Sequence, residues 1–222
     1  MDKRALEAFF AAHEAFRRTP PAALRRLAAV ARPKPLAAGE HLFREGDPAG
    51  EAAVLTKGLA VSSIGRRSGR SAMVEVLRAG DVWGVLSSLT GGANLCDVRA
   101  LEPSAAVLLP AAELFRLADS SPALSRALLR AAEVRFRRLA DLHALSGERS
   151  PRKICGILLW LHGSAGESVP LTQAAIAELA GLALETVSRA MSAYKKRGWI
   201  SYTRRRITIE RPDLLRRFLE DA

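Results

Sequence analysis

Four hydrogen-bonding side chains on one short segment could recognise the bases of DNA. The segment covers residues 184–191, and the four are Glu185, Thr186, Ser188 and Arg189. Side chains of these types can donate to, or accept from, base edges in the major groove. Because Val187 and Met191 supply an apolar stripe at helical spacing, we predict a recognition helix that presents the four polar side chains outward.

The residues just before this segment predict a second helix and a tight turn. Thr172 can cap that helix with its hydroxyl, and Ile176, Ala177 and Leu179 lie on its apolar face. Ala177 is small where the two helices approach each other, and Gly181 permits the positive φ of a sharp turn. An ordinary helical hairpin shares this pattern, so the helix-turn-helix interpretation depends on the residues that follow.

A basic run without any acidic residue follows the recognition segment. Its members are Arg189, Lys195, Lys196, Arg197, Arg204, Arg205 and Arg206, and such a set suits a surface that faces phosphates. Gly198 ends the helix, and residues 199–202 and 207–209 predict two strands around a basic turn. We therefore predict a winged helix-turn-helix in which Lys195 and the arginines of the turn contact the DNA backbone. A solvated hairpin tip is the alternative for the turn.

The composition limits the class of protein. At 222 residues the chain can form one large or two small domains, and a net charge of +11 with a pI near 10.7 indicates nucleic acid or an anionic membrane as partner. No apolar run reaches the ~18 residues of a membrane span and the N-terminus lacks a signal-peptide core, so we expect a cytoplasmic protein without membrane contact. Cys96 and Cys155 can form neither a disulfide framework nor a four-cysteine cluster, and we expect two buried thiols.

The first half of the chain changes from helical to β patterns. Residues 4–30 predict one or two short helices, broken at residues 19–21 (TPP). Between residues 33 and 110, short apolar segments are separated by Gly, Asp and Pro. This pattern predicts strands at 40–44, 52–56, 59–64, 72–77, 97–101 and 105–109. Many short strands at this spacing favour a sandwich or a jelly-roll barrel.

A long helix is predicted from residue 122 to about residue 147, with Ser121 as its cap. Its apolar residues recur at a spacing near 3.5, and they are Leu124, Leu128, Ala131, Leu139, Leu142 and Leu145. Because a single helix beside a barrel must bury this stripe, we expect it to pair with its twin in a homodimer. The alternative is that the whole stripe packs on its own barrel.

Together these segments resemble the CRP/FNR family of bacterial transcription regulators over nearly the whole chain. The resemblance is carried by residues 38–48 (AGEHLFREGDP), 57–58 (KG), 79–84 (AGDVWG) and 184–189 (LETVSR). It implies an α+β fold with an N-terminal double-stranded β-helix (jelly-roll) sensor domain at 1–120, which is cyclic-nucleotide-binding-like. A dimerisation helix at 121–148 and a C-terminal winged helix-turn-helix at 149–222 would follow.

This chain lacks the ligand anchors of the members that bind cyclic AMP. Those members carry Gly-Glu-Leu and then Arg-Ser, whose glutamate contacts the ribose and whose arginine neutralises the phosphate. Here the two places hold Gly-Val-Leu and Leu-Cys, so a buried cyclic phosphate would keep an unpaired charge, at a cost on the order of several kcal/mol. We expect another effector, or none. The candidate residues of its pocket are Gly84, Val85, Leu86, Leu95, Cys96, Arg138 and Leu139.

No cofactor is predicted. Members with an iron–sulfur cluster hold it through N-terminal cysteines, and no cysteine precedes Cys96. Haem would require a ligand from His13, His41, His143 or His162, and scattered histidines are usually surface or core residues. A β-barrel metalloenzyme is the enzyme alternative, but the barrel segment holds only His41, so neither a metal site nor catalysis is predicted.

The predicted target is an inverted repeat. In the recognition helix an aliphatic residue precedes the glutamate, as in FNR-type members, which implies that Glu185, Ser188 and Arg189 read TTGA-type half-sites. Arg189 can donate two hydrogen bonds to guanine O6 and N7, and Glu185 can accept one from a cytosine amino group. Thr172 and Gln173 would position the DNA backbone. The sequence therefore predicts a homodimeric, sequence-specific transcription regulator, with RNA polymerase as a further partner if it activates transcription; non-specific DNA coating is the alternative.

Overall fold

Two short helices come first in the computed structural model, which describes residues 1–65 and 71–221. They are α1, Lys3–Ala12, and α2, Pro21–Val30, so two short helices are confirmed, but the break between them covers residues 13–20 and begins earlier than the predicted 19–21. The Asp2 carboxylate accepts a hydrogen bond from the Ala5 N–H at 2.8 Å and so caps α1. Proline is the first residue of α2, where the missing N–H removes no helical hydrogen bond.

Eight strands are described between residues 32 and 110. They are β1 Arg32–Leu36, β2 His41–Phe43, β3 Glu51–Lys57, β4 Leu59–Gly65, β5 Ser71–Arg78, β6 Val82–Trp83, β7 Asp97–Ala100 and β8 Ser104–Pro110. Four of them form an antiparallel sheet in the order β1-β8-β3-β6. Strand β2 pairs antiparallel with β7, and β4 is adjacent to β5. The six predicted strands are confirmed to within one residue at each end.

Two strands of the sheet were not predicted. Strand β1 contains Pro33 and Pro35, which argue against a strand because proline has no N–H to donate. β1 lies at the edge of the sheet and pairs with β8 alone, so its second side needs no ladder partner. Strand β6 is only two residues long, too short for a periodic signal.

Alternate side chains of this sheet form a core with helices. Buried Val54, Val82 and Val107 pack with Leu27 of α2 and with Leu117 of α4, Ala111–Ser120. This core belongs to a compact unit of residues 1–60 and 78–137, which also contains the short helix α3, Val85–Leu89. The other unit comprises residues 61–77 and 138–222, and the domain boundaries at 120 and 148 remain predictions.

The long helix is confirmed as α5, Pro122–Ala144, followed by a 3₁₀ turn at Leu145–Gly147. Its apolar stripe does not serve as one continuous dimer surface, because Leu124 and Leu128 are buried in the core of the first unit. These two residues pack on their own unit, and pairing of α5 with a twin helix stays a prediction. Periodicity identifies the faces of a helix but not which face its own domain covers.

The second unit contains the helix-turn-helix and its supports. Its further elements are α6 Ser150–Ala165, β9 Ser168–Val169, α7 Gln173–Ala180, α8 Leu184–Lys196, β10 Ile200–Tyr202, β11 Ile207–Ile209 and α9 Pro212–Glu220. The three strands form an antiparallel sheet in the order β10-β11-β9. Helix α6 is not among the predicted elements, and its buried Ile154, Ile157, Leu158 and Leu161 place it at the centre of this unit. No helix in the described part of the chain is long and apolar enough to span a membrane.

His13 connects the end of α1 to the turn before β6. Its Nδ1 accepts a hydrogen bond from the Ala15 N–H at 3.2 Å, and its Nε2 lies 2.8 Å from the Gly80 carbonyl oxygen. The neutral tautomer with its proton on Nε2 satisfies both contacts. Burial lowers the pKa of His13, although the Gly80 carbonyl and the nearby Asp81 and Glu14 carboxylates act in the opposite direction.

We therefore expect the His13 contribution to stability to depend on pH. Because the folded-state pKa is the lower one, that contribution is complete above the unfolded value near 6.5 and is lost as the pH falls through the folded value. The measurement is the free energy of unfolding in urea at pH 7.5 and pH 5.5, for the wild type and for His13→Gln. The wild type should lose more stability than the variant; an equal loss in both would contradict this role for His13.

Candidate nucleic-acid interface

Helices α7 and α8 meet at the turn that the sequence predicts. The Thr172 Oγ1 accepts a hydrogen bond from the Ala175 N–H at 3.1 Å and caps α7. Gly181 has φ +64°, the left-handed conformation that glycine adopts most readily, and the Leu182 N–H donates to the Ala177 carbonyl at 3.0 Å. The predicted local structure of the helix-turn-helix is therefore confirmed.

The outer face of α8 presents an ion pair to solvent. The Arg189 guanidinium lies 3.4 Å from the Glu185 carboxylate one helical turn away, and the two side chains are 76% and 82% exposed. The ion pair orients both side chains. Because it is exposed to solvent, breaking it costs little free energy when either side chain bonds to a base instead. Thr186 and Ser188 are half-buried, while Val187 is fully buried beneath them.

The first turn of α7 is partly accessible. Thr172 and Gln173 are both half-buried, and the Thr172 hydroxyl oxygen already serves the helix as its cap. Their predicted contacts with the DNA backbone have no direct evidence in this structure and stay predictions. The same holds for the base contacts predicted for Glu185, Ser188 and Arg189.

The three arginines of the wing do not have the same surroundings. Arg206 donates a hydrogen bond to the Ser168 hydroxyl at 3.1 Å, which ties it to the neighbouring strand β9. Arg204 and Arg205 are exposed in the turn between β10 and β11. All three arginines are exposed, and Arg206 differs from the other two in having this contact with β9.

The wing also contacts the recognition helix. The Lys195 ammonium of α8 lies 4.7 Å from the centre of the Tyr202 ring in β10, and the Tyr202 hydroxyl is 3.4 Å from the Ser192 hydroxyl. From the sequence, Tyr202 is predicted only as part of a strand. No local signal distinguishes it, because the contact depends on how β10 packs against α8.

An aromatic cluster supports α8 from inside the unit. The Tyr194 and Trp199 rings are stacked with centroids 5.6 Å apart, Phe218 of α9 packs on both, and the Tyr194 hydroxyl donates to the Pro151 carbonyl at 2.6 Å. Beneath it, Cys155 lies 3.2 Å from the Leu215 carbonyl oxygen, and burial raises the pKa of its thiol to about 12. The thiol is therefore protonated at neutral pH. Cys96 is also buried, so the expectation for both cysteines is confirmed.

The candidate effector residues of the first unit do not share one environment. Gly84 adopts φ +79°, and a side chain there would meet the Glu51 carbonyl oxygen at 2.8 Å. Val85 and Cys96 are buried, whereas Leu86 and Leu95 are 55% and 66% exposed. The other two candidates, Arg138 and Leu139, are half-buried residues of α5 in the second unit.

A cavity of about 360 Å³ in the first unit lies elsewhere. It is lined by His41, Leu42, Phe43, Arg44, Asp47, Pro48, Gly50, Glu51 and Asn94, so none of the effector candidates contributes to it. The effector pocket stays a prediction. Among residues 1–65 and 71–221, no three His, Cys, Asp or Glu side chains are grouped as metal ligands would be.

One contact beside Gly84 was not predicted from the sequence. The Arg135 guanidinium of α5 stacks on the buried Trp83 ring, 3.6 Å from its centroid. This contact joins the long helix to the strand that leads into the candidate effector segment. The two residues are 52 positions apart in the chain, so spacing alone could not indicate their contact.

Comparison with known proteins covers both halves of the chain. Residues 33–121 match the profile of the cyclic nucleotide-binding domain, and residues 152–218 match that of the Crp-like helix-turn-helix domain. The chain is 28% identical over 216 residues to the CRP-like cAMP-activated global transcriptional regulator of Mycobacterium tuberculosis, with 91% of this chain and 94% of that protein covered. This chain belongs to the CRP/FNR family of transcription regulators.

Two further similarities agree with membership in the CRP/FNR family. The global nitrogen regulator of Nostoc is 27% identical over 187 residues, which cover 79% of this chain and 84% of that protein. The solved structure of FixK2 from Bradyrhizobium japonicum has a TM-score of 0.73 at 22% identity, over 85% of this chain and 96% of that one, and supports the fold. The predicted family and fold class are confirmed. As a CRP/FNR-family regulator the protein binds DNA through its helix-turn-helix domain, and these relatives are regulators rather than enzymes.

Proposed function

We propose that this CRP/FNR-family protein is a cytoplasmic homodimer that reads an inverted repeat with TTGA-type half-sites. The observation that carries the proposal is the exposed Glu185–Arg189 pair on the outer face of α8. Glu185 can accept a hydrogen bond from cytosine and Arg189 can donate to guanine. They are also the most accessible of the four side chains predicted to contact bases. The cations of Lys195, Arg204 and Arg205 would add phosphate contacts on either side.

The proposed dimer uses a face of α5 that its own unit leaves open. Leu129 and Phe136 are seven residues apart, and they are 63% and 74% exposed. They lie about 110° around the helix from buried Leu124 and Leu128. A seven-residue apolar repeat pairs two identical helices about a two-fold axis, which would supply two recognition helices for two half-sites.

We further propose that the effector is not cyclic AMP, and that the protein is active with another effector or with none. The support is chemical, because neither Val85 nor Leu95 can replace a glutamate or an arginine toward a ribose and a phosphate. We also propose that the protein binds neither haem nor an iron–sulfur cluster. If the protein activates transcription, RNA polymerase is its further partner.

The test is a selection from a randomised DNA pool with purified protein, without added ligand and at near-physiological salt. Sequencing of the retained fraction should show a two-fold inverted repeat with TTGA-type half-sites. The same selection with cyclic AMP should give the same enrichment. Binding with steep salt dependence and no motif would instead indicate non-specific DNA coating and would contradict the proposal.

A further inference from the structure

We infer that Tyr202 is a positioning residue that holds Lys195 beside the recognition helix, in place for a phosphate of the DNA backbone. This inference rests on the proposed DNA contact of Lys195. Neither the sequence pattern nor the family membership singles out this aromatic residue of the wing.

Tyr202 contacts α8 through two different parts of its side chain. The ring lies under the Lys195 ammonium, with 4.7 Å between Nζ and the ring centroid, and the hydroxyl lies 3.4 Å from the Ser192 Oγ. Ser192 and Lys195 are three residues apart and therefore neighbours on one face of the helix. Tyr202 thus docks between two consecutive side chains of the same face.

That face continues to the residues predicted to read bases. Ser188, Ser192 and Lys195 follow each other at intervals of four and three residues, which places them on one stripe of α8. If the bases of a DNA strand contact Ser188, the backbone of that strand would pass near the C-terminal end of the stripe. Lys195 lies at that end, and the exposed Arg204 follows Tyr202 by two residues.

The aromatic ring restricts the conformations of a lysine side chain that would otherwise be mobile in solvent. A free lysine side chain samples many rotamers, and ordering it upon binding reduces affinity. A ring face attracts the ammonium without taking any of its three N–H donors, so Lys195 can stack on Tyr202 and still donate to a phosphate. The adjacent cation Arg197 is directed to a different ring, that of Trp199, at 4.9 Å.

The neighbouring Lys196 provides a matched control. It is exposed, carries the same charge and lies one residue further along α8. No aromatic contact to it is described, whereas Lys195 and Arg197 each lie over a ring. The effect of substituting Tyr202 on the binding free energy should therefore depend on whether Lys195 is present, but not on whether Lys196 is present.

The experiment is a double-mutant cycle on binding of full-length protein to the inverted repeat, with Kd measured over a range of KCl concentrations. Lys195→Ala should lower the slope of log K against log salt by about 0.9 for each subunit, as expected for one lost phosphate contact. Tyr202→Leu should weaken binding about 2- to 5-fold, and Tyr202→Phe, which keeps the ring, should weaken it much less. In the Lys195→Ala background, Tyr202→Leu should have no further effect, while its effect in the Lys196→Ala background should be complete.

Two results would overturn the inference. An undiminished loss from Tyr202→Leu in the Lys195→Ala background would mean that the ring acts independently of Lys195. If Lys195→Ala still bound the inverted repeat with an unchanged salt slope, Lys195 would make no phosphate contact. The inference would then be wrong, although the proposed function would stand. Failure of the wild type to prefer the inverted repeat would be a failure of the proposed function, so the two cases are distinguishable.

Discussion

Arg189→Ala is expected to remove most of the discrimination between the inverted repeat and scrambled DNA. A bidentate arginine–guanine contact contributes about 1–3 kcal/mol of discrimination, which corresponds to roughly 5- to 150-fold in Kd for each half-site. The free protein should be hardly affected, because the lost ion pair with Glu185 is exposed to solvent. The measurement is Kd for both DNAs at one fixed salt concentration, together with the thermal unfolding midpoint.

Two further variants separate base reading from charge. Arg189→Lys keeps the positive charge but not the planar fork, so it should retain binding to scrambled DNA and lose discrimination. Arg216→Ala removes another exposed arginine, from α9, and should leave discrimination unchanged. If Arg189→Ala preferred the inverted repeat as strongly as the wild type does, Arg189 would not be the reader of guanine.

Phe136→Asp is expected to convert the proposed dimer into a monomer that no longer binds the inverted repeat tightly. Burial of the two symmetry-related phenylalanines would contribute about 3–6 kcal/mol, so the dimerisation constant should fall by a factor on the order of 10² to 10⁴. Each monomer would retain one recognition helix and lose the benefit of two linked half-sites. Sedimentation velocity and Kd for full and half repeats would measure the two effects.

Val134→Asp is the matched control for this prediction. Val134 is also an exposed apolar residue of α5, at 48%, but it lies roughly 140° around the helix from Leu129. It should therefore tolerate a carboxylate with the dimer intact. A Phe136→Asp protein that sediments as a dimer would refute the proposed interface, and dissociation by Val134→Asp alone would move the interface to another face of α5.

Most of the helix-turn-helix could be predicted because its signals are local. The cap of Thr172, the left-handed turn at Gly181 and the inward stripe of Val187 and Met191 each depend on residues within one or two turns. The strands of the first unit were predicted for the same reason, since Gly, Asp and Pro mark where each strand ends. Strands β1 and β6 are the exceptions, because the prolines of β1 are compatible with a strand only at the edge of a sheet and β6 is only two residues long.

The candidate sites were less predictable where they depend on distant segments. The stripe of α5 predicted apolar faces, but only the packed core shows that Leu124 and Leu128 are already covered and that Phe136 is open. Similarly, three consecutive arginines looked equivalent in the sequence, and the contact of Arg206 with Ser168, 38 residues away, distinguishes one of them.

By itself, the sequence determined the family, the fold class, the recognition helix and the absence of charged anchors for a cyclic phosphate, because residue types and short spacings specify these features directly. Only the tertiary structure decided which side of α5 is free, how Tyr202 joins the wing to α8, and that Arg135 stacks on Trp83. The physical reason is that helix and strand periodicities are set by neighbours within a few residues. Contacts between elements instead depend on how distant segments pack around a shared core, and no local spacing records that arrangement.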